Sequence, residues 1–128
     1  MKTPNWKDEV ICIKDGFKVV LSFSEDYEDA KHHFVSTYGW SESQYAEIAL
    51  NYWFTAEVKA YKGKTLCATT YLGACCYASK KEVMAGGEIE NILSGYMPQM
   101  IDEVIGEAQV ELAQLIAATK AQLKELVA

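Results

Sequence analysis

Arginine is absent from this 128-residue chain, histidine and proline occur twice each, and no apolar run approaches the length of a membrane span. Without a guanidinium there is no forked cation to read guanine edges or clamp phosphate, so direct nucleic-acid binding is not expected. The opening residues MKTPNWKDEV carry no signal-peptide core, which predicts a cytoplasmic protein with no membrane attachment. Neither GxxxxGK nor GxGxxG occurs, and Gly86-Gly87 lacks the preceding strand that a phosphate cradle needs. The two histidines are neighbours, His32 and His33, each with a carboxylate four residues earlier at Glu28 and Asp29. That spacing suits ion pairs on a helix surface better than general-base catalysis.

What the chain does contain is led by TYLGACCY, residues 70–77, which holds two of the four cysteines. A structural zinc site wants about four Cys or His ligands in paired spacings such as C-x2-C. Adjacent Cys75 and Cys76 would point to opposite faces of a strand, so no metal and no cofactor is expected. A cysteine nucleophile needs a nearby base or a helix N-terminus, and nothing in the pattern supplies one. No catalytic residue is nominated, and a thiol enzyme ranks third among the readings. In a reducing compartment Cys12, Cys67, Cys75 and Cys76 act as small buried hydrophobes, with Gly73 permitting a bulge at a strand end.

Charge is distributed unevenly around a net of −6. Lys59 through Lys81 holds five lysines and no acid, while Glu82 through Glu111 holds seven acids and no base. A further acidic block, Glu25, Asp26, Glu28 and Asp29, precedes the histidines. An electrically two-sided molecule follows.

The pattern predicts one α+β domain over residues 1–128, with two hairpins forming an antiparallel sheet and helices on one face, in the order ββααββ followed by helices. EVICI and FKVVLSF flank Asp15-Gly16, and residues 53–61 and 64–72 flank Lys62-Gly63, both turn signals. Ser24 is placed to cap a helix whose first turn holds the acidic block, and Ser41 with Gln44 forms a capping box for the next. Beyond Ser79 and Glu82 a short helix, a Gly86-Gly87 break and a turn ending at Gly95 are expected, with Pro98 opening a long amphipathic helix over 98–128. Its apolar positions, among them Ile101, Ile105, Leu112, Leu115 and Leu126, exceed one seam, which makes it a candidate homo-oligomer contact or a longer sheet cover.

In the strand at 53–61, Phe54, Ala56, Val58 and Ala60 alternate with Trp53, Thr55, Glu57, Lys59 and Tyr61. One face is therefore expected to look outward with large aromatics on it. Trp53, Glu57, Lys59, Tyr61, Tyr71 and Tyr77 form the candidate partner-binding surface on the outer face and its rim. The alternative is the acidic patch Glu25, Asp26, Glu28 and Asp29, suited to a basic groove on a nuclease complex.

WKDEV at 6–10, DGFKVVLSF at 15–23, GWSE at 39–42, AEV at 56–58 and YLGACCY at 71–77 together resemble small proteins carried by bacteriophages and prophages. The resemblance covers about the first two-thirds of the chain and brings no assigned activity or site. It implies a context in which small acidic proteins bind and block a host protein or defence complex. The expected function is a non-enzymatic inhibitor of a host protein, such as an anti-CRISPR or other anti-defence factor. The alternative is an oligomeric module that binds and sequesters a small molecule or nucleotide.

Overall fold

The computed structural model describes residues 1–85 and 92–127, an α+β arrangement built on one four-stranded antiparallel sheet. Strands β1 (Glu9–Lys14), β2 (Phe17–Ser24), β3 (Tyr52–Lys62) and β4 (Thr65–Tyr77) lie side by side in sequence order. At the first turn Lys14 pairs with Phe17 across Asp15-Gly16, both at positive φ, a geometry that glycine adopts freely and aspartate tolerates. At the second, Lys62 pairs with Thr65, so the two turn residues are Gly63 and Lys64, one position later than Lys62-Gly63.

Alternation then decides what each face does. Phe17, Val19 and Leu21 of β2 stand beside Phe54, Ala56, Val58 and Ala60 of β3 on one face, all buried. The long helix α3 (Ile92–Val127) lays Met100, Val104, Ile105 and Ala108 onto them, closing the core. Each such large aliphatic or aromatic side chain contributes roughly 1.5–3 kcal/mol by burial. Trp6 closes one end of the core, its ring 5.1 Å from Phe23, 4.7 Å from Tyr52 and 5.6 Å from Phe54.

Several elements differ from the pattern-based expectation. Pro98 lies inside α3, in its second turn, so the helix begins earlier and Gly95 does not end a separate turn. Proline there removes the bond that the backbone at 98 would donate to the carbonyl of Ser94. The Gly86-Gly87 break lies outside the described residues. A short helix α2 (Lys80–Ala85) follows β4, with Ser79 Oγ accepting from the Glu82 N–H at 3.2 Å.

The acidic block is not the first turn of a helix. Ser24 ends β2, residues 25–29 form a loop, and a π-wound turn follows at His32–Thr37. Asp29 does the capping, its carboxylate accepting from the His32 N–H at 3.0 Å. Helix α1 (Glu42–Ile48) then starts on the Ser41–Gln44 capping box, with bonds of 3.1 and 2.8 Å in the two directions.

The helical parts also occupy both faces of the sheet, not one. The loop and π-wound turn fold over the face opposite α3, where Trp53 stands: His33 and Phe34 lie 5.1 and 5.6 Å from its ring. Beyond the point where β2 leaves the sheet, the N-terminal segment takes its place, and the Trp53 N–H donates to the Lys2 carbonyl at 3.0 Å.

Candidate functional site

The outer face can be read row by row from the strand register. Ile13 pairs with Lys18, Lys18 with Tyr61, and Tyr61 with Leu66. The next row holds Val10, Val20, Lys59 and Thr69, and the next Ser22, Glu57 and Tyr71. Then comes Ser24 beside Thr55, and last Trp53 beside Cys76.

The loop at 25–29 divides these rows into a covered and an open part. Asp26 fixes that boundary. Its Oδ2 accepts from Thr55 Oγ1 at 3.0 Å and from the Ala74 N–H at 2.8 Å, while Oδ1 accepts from the Glu28 N–H at 2.8 Å. The partner of this clamp is the bulge in TYLGACCY. Between Phe54–Cys75 and Ala56–Leu72 the register gains one residue on β4, and Ala74 takes φ 57°. A Cβ on Gly73 would stand 3.2 Å from Asp26 Oδ2, so the glycine leaves room for the carboxylate.

One inserted residue exchanges the two faces for everything after it. Cys75 and Tyr77 therefore turn into the core, and Cys76 turns out towards Asn51 and Met1. Tyr77, expected on the outer face or its rim, belongs to the opposite side, its ring 5.9 Å from Phe54. Trp53 does occupy the outer register but is buried, with its Nε1–H donating to the Glu28 carbonyl at 2.8 Å. Of the six residues named from sequence, Glu57, Lys59, Tyr61 and Tyr71 share the open part of the face.

That open part is apolar at its edges and charged at its centre. Ile13 is 77% exposed, Val10 58% and Tyr71 64%, with Leu66 exposed beside Tyr61. Lys59 Nζ and Glu57 Oε2 form an ion pair of 3.2 Å. Partial burial works against the Lys59 charge, but the hydrogen-bonded Glu57 carboxylate outweighs it and holds the ammonium above its usual pKa. Val20 and Ser22 lie buried in the adjoining strand, and Ser22 Oγ has no hydrogen-bond partner among the described residues. Lys18 Nζ stands 5.6 Å from the Tyr61 ring centroid, a cation–π distance that orients the ring. Val10, Ile13, Lys18 and Leu66 were not singled out from sequence. Lys18 follows from the inward alternation of Phe17, Val19 and Leu21, whereas Leu66 reaches this face only through the register shift between Ala60 and Tyr61.

The acidic patch is more committed than its charge suggests. Asp26 clamps the bulge, Asp29 caps a turn and Glu28 Oε2 lies 3.2 Å from His33 Nδ1, and among the described residues Glu25 makes no polar contact of this kind. The four acids line a shallow cavity of ≈300 Å³ with Met1, Lys2, Thr3, Tyr45 and Trp53.

The two adjacent thiols of TYLGACCY share one electrostatic trend. Burial pushes Cys75 up to about 12, and burial also raises Cys76, so neither is a ready thiolate near neutral pH. All four cysteines are free, and among the described residues no group of three or more His, Cys, Asp or Glu side chains converges as a metal site. No described helix is long and apolar enough to cross a membrane. Compared with protein-family models, curated proteins and solved structures, the chain matches none.

Proposed function

We propose that this chain is a non-enzymatic binding module that docks a partner protein on the open part of its outer sheet face. The observation that carries this reading is the exposure of Val10 and Ile13 on β1 and of Leu66 and Tyr71 on β4, at the two edges of the face whose centre holds the Lys59–Glu57 pair. Covering each large side chain is worth up to roughly 1.5–3 kcal/mol, and the ion pair at the centre orients the partner more than it holds it. Lys18, Lys62 and Lys64 lie at the same end of the sheet, which favours a partner patch of apolar residues with an acidic rim. The resemblance to phage proteins supplies the context: the partner is a host protein, such as a component of a CRISPR or other defence complex, and binding blocks it.

The sequestering alternative draws less support. Its natural place is the ≈300 Å³ cavity, and the carboxylates of Glu25, Asp26, Glu28 and Asp29 there would repel the phosphates of a nucleotide. The test is affinity capture from bacterial lysates with three baits: the native chain, Tyr71→Ala, and a Glu25→Lys, Glu28→Lys double variant. Capture of one host protein by the native chain and the double variant, but not by Tyr71→Ala, supports the outer face. Loss only in the double variant would move the site to the acidic loop.

A further inference from the structure

The outer face of the sheet is raised and acidic at one end, bare and basic at the other. At the first end the loop at 25–29 stands over the strands, with Glu25 and Tyr27 exposed on it. Asp26 and Asp29 are bonded there by hydroxyl and amide donors, which are neutral, so those bonds do not offset the loop's charge. At the other end Ile13, Lys18, Tyr61 and Leu66 form an uncovered row, with Lys62 and Lys64 beyond it, and all three lysines are exposed. Between the ends lies the Lys59–Glu57 pair, the acid nearer the acidic loop and the lysine nearer the lysines.

We infer that in the free protein this face is closed by the same face of a second copy, turned end for end. Turning one sheet over about an axis across the strands, at the level of Val58, exchanges the rows in pairs. The Glu57 row then lies on the Lys59 row of the other copy, so each carboxylate gains a second ammonium. Ser24 comes level with Lys18 of the other copy, which puts Glu25, the next residue, beside that ammonium. The acidic loop fills the bare row of Ile13, Tyr61 and Leu66, and Lys62 and Lys64 arrive at the Trp53 end, where Glu28 lies. The same orientation without reversal would set loop on loop and lysine on lysine. A second copy is selected because the chain carries both halves on one face: the knob and the floor, the acids and the lysines, at matching distances from Val58. Such a contact is closed by its two-fold axis. Four strands about 4.8 Å apart, over the steps of about 3.3 Å from Trp53 to Lys62, give a footprint of roughly 550 Å² per copy, about 1,100 Å² in total. The flanks of the raised loops add to it, which reaches the range of specific interfaces. The pairing rests on the same reading of the open face as a docking surface, and a host protein that docks there has to displace the second copy.

Sedimentation velocity of the full chain over roughly 1–300 µM, at about 50 and 500 mM salt, tests this with Glu25→Lys, Lys18→Glu and an equimolar mixture of the two variants. Both sites are exposed, so circular dichroism should show native folding in each. Expected are a dimer that forms at low salt and loosens at high salt, and a weakening of about tenfold or more in either variant alone, because symmetry spoils two contacts at once. The mixture should dimerise again, since the two altered charges attract in one contact and the two native ones in the other. A monomer throughout the range at low salt, a dimer indifferent to both variants, or variants that stay apart when mixed would each overturn the pairing. No host protein enters this measurement, so its failure leaves the docking reading standing, and that reading fails separately if the native chain captures no host protein.

Discussion

Cys75 shows how much a single side chain's surroundings decide. Adjacent thiols in sequence suggest chemistry, yet the bulge buries one and turns the other aside. Its pKa is raised from 9.0 to about 12, so the native state holds the proton that the unfolded chain releases first. Its contribution to stability is therefore full below about pH 9 and is lost as pH climbs towards 12. Denaturant titrations between pH 8 and 11 should show falling stability on the alkaline side, and a Cys75→Ala variant should flatten part of that fall. Alkylation read by peptide mass spectrometry should leave Cys75 unmodified in the native state and modify it on unfolding. Trp53 makes a second residue-scale case. Replacing it by Phe keeps the ring contacts with His33 and Phe34 but strands the Glu28 carbonyl, an expected loss of about 1 kcal/mol, whereas Trp53→Ala should cost roughly 3–5 kcal/mol. The outer register of Trp53 was legible from alternation. Its burial was not, because the cover comes from a loop whose path local periodicity does not encode. Ser22→Ala should be neutral or mildly stabilising in the same denaturant assay, since the hydroxyl it removes is buried without a partner.

At the scale of elements, the α+β content, the four-stranded antiparallel sheet and the long C-terminal helix could be read from patterning, because each rests on many residues that agree. Phe54, Ala56, Val58 and Ala60 all declare the same face. Single-residue events were harder to place. The inserted residue at Gly73–Ala74 reverses the sides of Cys75 and Tyr77, and Asp29, not Ser24, caps the turn that follows the acidic loop. Sequence offered Ser24 a helix to cap, but the tertiary bonds from Asp26 to Thr55 and Ala74 hold residues 25–29 as a loop instead. The clamp is thus the element that sets where the covered part of the face ends. Asp26→Ala removes three acceptor contacts at once and should cost about 2–3 kcal/mol in chemical denaturation, with Asp26→Asn costing less because its amide oxygen can keep part of the set. If Asp26→Ala is as stable as the native chain, the loop is held by something other than this carboxylate.

Over the whole molecule, the acidic loop sits at one end of the sheet's outer face and the lysine-bearing hairpin turns at the other, with the exposed aromatic and aliphatic rows beside the lysines. That layout is what supports the open end as the proposed docking surface, since α3 covers the opposite face of the sheet. The most direct measurement is calorimetric titration of the captured partner with the native chain, Tyr71→Ala and Tyr61→Ala, all verified as folded. Tyr71 is exposed, so its loss should leave stability within about 0.5 kcal/mol while weakening binding by about 2 kcal/mol, near 30-fold. Native affinity in both tyrosine variants would contradict the account and remove the partner from this face.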